Sequence, residues 1–367
     1  MLSLIEISRR RLQFGLIASI FALIAYLILM INGLGAGLNE LAGSALLNMD
    51  ADAIAYSENA GLSVIRSELS QAMVDAVGPA TGARATAPLA YVAATYRLEG
   101  KQPDSVALLG YDPGTIAEPP VTAGRALTAA DTRGALADKT FLDQTGLKIG
   151  VTVTVNQRLE QVQLTIVGEI DEGAFFFQPA VYILRPTLLD LKYGATDPAS
   201  RPVASIVLVQ GPERSGVLGE IEVVDKQTAF ANIEGVSGQS ATVRSLQVFG
   251  FLIGTMVIGV FFYVLTLQKE GQIGMLKAVG ASNRYVMQQL LLQVGTIAVL
   301  GMLVAIPLAV LTERSLKSGS AVVPVSLSAE LIAVTTVLLL VTSIVGALFS
   351  MRKVLAVDPI IALGRQQ

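Results

Sequence analysis

The sequence predicts a membrane protein: four transmembrane α-helices with a large α+β extracytoplasmic domain inserted between helices 1 and 2. Three observations carry that class. Four windows are long and apolar enough to cross a bilayer. Lys and Arg gather in the short segments flanking those windows on one side. Residues 50–235, between the first two windows, change to strand-like alternation. Composition agrees, since 52% of the 367 residues are hydrophobic and only 15% are charged, outside the soluble norm.

The windows cover 12–36, 247–268, 288–312 and 330–351. Each meets the requirement of about 20 apolar residues for a span. Pro307 predicts a kink in the third, tolerable where neighbouring helices re-satisfy the freed carbonyl. The first window exceeds a signal-peptide h-region and further spans follow it, so it reads as a retained helix. Arg9, Arg10 and Arg11 lie in the N-terminal segment 1–11. Lys269, Lys277 and Arg284 lie in 269–287, and Arg352, Lys353 and Arg365 in the tail 352–367. Positive charge marks the cytoplasmic side, and an even number of spans puts all three segments there. The predicted location is the plasma membrane, with both termini cytoplasmic, the domain 37–246 outside and an outer loop at 313–329.

Within the outer domain, β-branched residues alternate in VTVTV (151–155) and VQLTIVGEI (162–170), as half-buried strands require. Further strands are expected at 88–100, 105–112, 179–184 and 204–209. Residues 61–77 carry apolar positions at helical spacing, and KTFLDQTG (139–146) suggests a turn. The expectation is one or two small α+β lobes.

Composition excludes much chemistry. The chain has no Cys and no His, so disulfides, Cys/His zinc sites and imidazole catalysis are ruled out. Asp171 and Glu172 are adjacent carboxylates in a DEG segment and read as a solvated turn. No G-x-x-x-x-G-K-[ST] phosphate loop occurs, so ATP and Mg would be bound by another polypeptide. The chain alone is expected to be no enzyme and to hold no intrinsic cofactor. The net charge of −3 and the lack of a basic tract argue against a nucleic-acid partner.

Between the second and third windows lies KEGQIGMLKAVGAS (269–282). Ile273, Leu276 and Val279 share one helical face with Met275 beside it, while Lys269, Glu270, Gln272 and Lys277 are polar. Gly280 suits the left-handed position that closes a helix, and Ser282 can cap the next. The product is a short amphipathic helix. On physics alone it either rests in the lipid headgroups or passes force from a cytoplasmic partner.

That stretch resembles the E-I-G-x-L-[KR]-A-x-G-A-S signature of the MacB/FtsX-like ABC transporter permease superfamily. Ile273, Gly274, Leu276, Lys277, Ala278, Gly280, Ala281 and Ser282 match, while Gln272 replaces the usual glutamate. The tail VDPIIALGR (357–365) and the segment DKTFLDQTGLKIGVTVTV followed by LTIVGEI are similar to the same family. The resemblance implies a homodimer of the permease, contacting through its first and second helices, with an ABC ATPase subunit on each copy. Lys269, Glu270, Ile273, Gly274, Leu276, Lys277 and Gly280 would then couple to the ATPase. The N-terminal RRRLQFGLIASIFALIAYLILMINGLGAGLNE resembles the haem-exporter (HrtB-type) permeases within the superfamily.

No Asp, Glu, Lys or Arg lies in the cores of the four windows. Intramembrane charges mark ion routes, so their absence favours mechanical transmission or uptake of a membrane-dissolved lipophile. The resemblance to the HrtB-type permeases implies haem as the favoured substrate; a glycolipid or drug, or activation of an extracytoplasmic partner without transport, are the alternatives. Haem iron takes His, Cys, Met or Tyr, and only Met and Tyr are present, besides an unusual carboxylate. Met30, Glu40, Met49 and Glu234 are candidates at the outer boundary, with Tyr26 one turn deeper than Met30. Glu234 or Met30 would ligate iron, while Phe249, Phe251 and Phe261 would cover the macrocycle.

Overall fold

The computed structural model describes residues 11–98, 102–157, 160–171, 173–194, 196–197, 200–268, 271, 274–275, 277, 279–317 and 323–355. They form two compact units, one from Leu38–Gln239 and the other from the stretches on either side of it.

Among the described residues, four helices are long and apolar enough to cross a membrane: α1 (Arg11–Asn48), α6 (Val236–Gln268), α7 (Asn283–Lys317) and α8 (Ala329–Leu355). Two outrun the apolar windows by more than ten residues at one end. α1 continues 12 residues past 36, and α6 begins 11 residues before 247. Apolarity limits a span but not a helix, and GLNELAGSALLN and VSGQSATVRSL retain helix-forming residues. α7 is continuous through Pro307.

In the first unit, α1 presents Phe14, Ile17, Phe21, Ala25 and Ile28 to a core shared with Ile297, Ala298, Met302 and Ala305 of α7. The three-four spacing is that of one helical face. Small residues let the helices approach closely: Phe21 is seated against Gly301. The segment Pro324–Leu327 crosses the GLGAG stretch of α1, where Ser326 donates its backbone N–H to the Gly33 carbonyl at 2.9 Å. A Cβ on Gly37 would land on the Pro324 carbonyl. Among the buried bundle residues the polar ones are Gln293, Thr335 and Ser343, and none is ionisable.

The second unit is a mixed sheet system. Its strands are β1 (Ala53–Ser57), β2 (Ala85–Tyr96), β3 (Asp104–Tyr111), β4 (Val121–Gly124), β5 (Gly134–Asp138), β6 (Thr152–Gln157), β7 (Glu160–Ile170), β8 (Ala180–Leu184), β9 (Ile206–Gln210), β10 (Gly216–Leu218) and β11 (Ile221–Asp225). Pairing runs β10-β11-β1-β9-β2-β3-β8-β5-β7-β4, and β6 joins β7 to β2. Hence β2, β3, β8, β5, β7 and β6 close a ring. The first half of β2 (Ala85–Leu89) pairs with β9, while its second half (Ala90–Tyr96) pairs with β3.

Period-two alternation divides the buried side chains between two cores. Ala90, Val92, Val106, Leu108, Val153 and Leu164 enter one, with Phe141 and Leu188 from the helices α3 (Lys139–Thr145) and α4 (Arg185–Tyr193). Leu89, Tyr91, Leu109, Tyr111 and Tyr182 enter the other, which also takes Ala42, Ala45 and Leu46 from the end of α1.

Two expectations are corrected here. Residues 61–77 are not one helix: α2 spans only Gln71–Thr81, capped by Ser70, whose hydroxyl accepts from Met73 N. Gly61 and Leu62 both take left-handed φ, and Leu69 bridges to Ala204 as a strand would. KTFLDQTG is a helix rather than a turn, closed by left-handed Gly146. The 11 strands include β1, β4, β5, β10 and β11, which periodicity did not predict. β1 and β5, AIAYS and GALAD, are buried almost throughout and therefore show no alternation.

Candidate functional site

The connection between α6 and α7 forms as its residues dictate. Gly280 has φ +98, a conformation that only glycine adopts freely. Its N–H donates to the Lys277 carbonyl at 3.0 Å, and the Val279 N–H donates to Met275 O. Ser282 then caps α7, its hydroxyl accepting from Tyr285 N at 3.2 Å. Gly274 is buried and Lys277 half-buried, while Met275 and Val279 stand exposed at 61% and 84%. Lys269, Glu270, Ile273 and Leu276 lie outside the described residues.

In the bundle, the Tyr26 hydroxyl donates to Thr312 Oγ1 of α7 at 3.2 Å, and Met30 packs half-buried against the core. Six residues beyond Tyr26, Asn32 Nδ2 donates to Thr335 Oγ1 of α8 at 2.9 Å. Phe249 projects outward at 61% exposure. Phe251 and Phe261 instead pack on the bundle core, so of the three aromatics expected to cover a macrocycle only Phe249 is displayed. It belongs to an outward stripe on α6 with Leu252, Met256 and Val260. A narrow apolar crevice lies between α1 and α6, lined by Ile20, Ile24, Val257 and Phe261.

The carboxylates belong to the other unit. Glu40 is exposed, and Asp171 is exposed too. Met49 is buried in the lobe core, so it packs rather than being displayed. Glu234 is half-buried beside an aromatic wall. Its Oε1 accepts from the Ser63 hydroxyl, and Oε2 is buried with no hydrogen-bond partner among the described residues. Burial, then the Glu234 charge, pushes the Tyr91 phenol up to about 12 and holds the Tyr56 phenol above its usual range. The Tyr56 hydroxyl is likewise unpartnered. Tyr91 stacks on Phe176 at 4.9 Å between centroids. A carboxylate with one spare oxygen among phenols can accept a further hydrogen bond or hold a cation. Sequence reasoning singled out Glu234 but not Ser63, Tyr56 or Tyr91; Ser63 lies 171 positions away in the chain, and no local pattern joins the two.

Among the described residues no group of three or more acidic side chains could hold a metal ion. Asp138, fully buried at the start of α3, is pushed up to about 6 by that burial, although Gly173 donates its N–H to Oδ1 at 3.0 Å.

Residues 245–359 match the family described as FtsX-like permease C-terminal. Over 359 residues the chain is 26% identical to a Staphylococcus haemolyticus protein predicted to be the hemin transport system permease HrtB, covering 98% of this chain and 97% of the relative. It is 25% identical over 361 residues to an uncharacterised ABC transporter permease of Mycobacterium bovis, covering 97% and 96%. Among solved structures, the chain is similar to the periplasmic region of MacB from Actinobacillus actinomycetemcomitans at 12% identity, TM-score 0.35, covering 52% of this chain and 96% of that one. The extracellular domain of the ABC-type transporter YknZ from Gram-positive bacteria matches at 16% identity, TM-score 0.34, covering 47% and 99%. Residues 245–359 are therefore similar to an FtsX-like permease domain, and the chain is similar along nearly its whole length to the HrtB-named permease.

Proposed function

We propose that this chain is the permease subunit of an ATP-driven exporter that extrudes a membrane-dissolved lipophile, with haem as its substrate. The observation that carries the reading is the alignment with the HrtB-named protein across 98% of the chain, which takes in all four long helices and the lobe. The bundle supports it, because none of its buried described residues is ionisable. A hydrophilic solute or proton would need such groups, whereas a lipophile can move along outward apolar faces such as the α6 stripe.

In this reading the α6–α7 connection lies in the cytoplasm and docks a separate ABC ATPase through Met275 and Val279, with ATP and Mg on that subunit. Two permease copies pair through α1 and α6, and α6 supports this because only 11% of its apolar window is buried within one chain. Met30 and Glu234 are the iron-ligand candidates, Tyr26 and Glu40 line the path, and Phe249 offers its ring to the macrocycle. The lobe faces outside and the termini face the cytoplasm.

The test is hemin titration of the purified permease–ATPase complex in nanodiscs, followed at the Soret band. Saturable binding is expected, weakened at least tenfold in Met30→Ala and Glu234→Ala. Absence of saturable binding to the wild type removes haem as the substrate.

A further inference from the structure

Near its end α1 is interrupted at Gly43, which has φ −173 and ψ 36. In an unbroken helix the Leu41 carbonyl would accept from the Ala45 N–H, four residues on. Here a short hairpin, residues 173–178, takes both members of that pair. Phe177 N donates to Leu41 O at 2.8 Å, and Ala45 N donates to Ala174 O at 3.0 Å. The next carbonyl, Ala42 O, accepts from Phe176 N at 2.9 Å. The Ser44 hydroxyl adds a longer bond to Ala174 O at 3.4 Å.

The hairpin holds an unfavourable shape while doing this. Phe176 and Phe177 have φ +52 and +60, a region that bulky residues avoid. Such strain persists only where the surroundings over-determine it. The surroundings here are the Phe175–Gln178 bridge, the Tyr91 stack and Gly173 held by Asp138. The break is also fitted to the approach of α6. A Cβ on Gly43 would sit 2.6 Å from Ile233 Cδ1 and 3.1 Å from Phe230 Cδ2, and one on Gly235 would lie 3.3 Å from Phe177 Cε2. Lys226 ties down the last carbonyls, donating from Nζ to Leu47 O at 3.0 Å and Met49 O at 2.8 Å.

We propose that hairpin 173–178 is a clip on a two-state joint in α1, holding the helix bent at Gly43 by intercepting the Leu41–Ala45 backbone pair. When the clip lets go, those two groups find each other, α1 runs straight, and the two phenylalanines leave the left-handed region. The exchange conserves the hydrogen bonds of Leu41 and Ala45, while the Phe176 and Phe177 N–H groups and the Ala174 carbonyl must then turn to water. The segment AGSALLN is helix-competent without the clip. The clip governs the course of α1 as the chain enters the lobe, and its service to transport rests on the exporter reading above.

Gly43→Ala separates the two states, because the methyl clashes in the bent form and favours the straight one. Hydrogen–deuterium exchange on the full chain in nanodiscs reads the outcome. Peptides spanning 174–178 should exchange at least tenfold faster in Gly43→Ala, while β3 and β8 keep wild-type protection. Adding Ile233→Ala makes room for the methyl and should restore slow exchange at 174–178. Unchanged exchange in Gly43→Ala, or a uniform loss across the lobe that Ile233→Ala does not repair, overturns the clip. In a parallel arm with the ATPase, Gly43→Ala should keep ATP hydrolysis and lose export at least tenfold, recovering in the double variant. Wild-type complex that exports nothing defeats the exporter reading instead, and the exchange arm still decides the clip.

Discussion

The Ser63 hydroxyl donates its hydrogen bond to Glu234 Oε1, tying the strained Gly61–Leu62 corner to the segment that leads into α6. Ser63 is 1% exposed, so it cannot turn to water if the carboxylate is removed. Glu234→Ala should therefore destabilise the lobe by about 1–3 kcal/mol, the cost of an orphaned buried donor. Glu234→Gln keeps an acceptor and should cost less. Thermal melts of the full chain followed by circular dichroism will rank the two, and the same variants feed the hemin titration.

Asp138 makes the lobe respond to pH. Its folded-state pKa, about 6, lies above the ordinary 3.8, so the folded chain holds this proton more tightly than the unfolded one. The associated stability is complete below pH 3.8 and is lost as pH rises through 6. That gap corresponds to about 3 kcal/mol at ~1.36 kcal/mol per pH unit. Asp138→Asn keeps an oxygen for the Gly173 N–H and carries no titrating proton. The melting temperature of wild type minus that of Asp138→Asn should fall between pH 4 and 7; a flat difference would show that Asp138 is charged throughout.

Gly37 is the seat of the segment preceding α8. Gly37→Leu puts a side chain where the Pro324 carbonyl lies, at an overpacking cost of about 1–3 kcal/mol. The expected signature is faster proteolysis within 323–328 and a lower melting temperature. Gly295 has open space around it, so Gly295→Ala should leave both unchanged.

The α6–α7 turn should discriminate docking from folding. Val279 is 84% exposed, so Val279→Glu ought to leave the melting temperature within about 1 °C, as surface changes do. Co-purification of the ATPase should drop at least tenfold. Gly280→Val, which forces a β-branched residue to φ +98, should lose both. An ATPase that still binds Val279→Glu at wild-type level would place the docking face elsewhere.

Legibility followed the range of the forces. The four spans were readable because bilayer thickness imposes a length rule on contiguous residues. β6 and β7 showed in VTVTV and VQLTIVGEI because one face of each strand is drier than the other. The caps at Gly280 and Ser282 needed only a few neighbours. β5 stayed hidden because all five of its residues are buried, and a uniform run such as GALAD has no period to detect. Residues 61–70 carried a helical pattern, yet the left-handed pair at Gly61–Leu62 and the bridge from Leu69 to Ala204 overrode it. The surroundings of Glu234 were unreadable for another reason: Ser63, Tyr56 and Tyr91 reach it only after the sheet has formed. The triple phenylalanine in GAFFFQ was visible as letters, but nothing local said that its backbone would hydrogen-bond to α1.

The double duty of β2 has a consequence for how the lobe comes apart. Its front half belongs to one sheet and its rear half to the ring, so pulling the strand from either ruins the other. Two cores sharing one such ribbon should melt together as one cooperative block. The ring also closes late, since Tyr96 must find Val155 across 58 intervening positions, a long-range pairing of the sort that slows folding. A newly made lobe would then linger open-sided, and chaperones or proteases would meet it in that state.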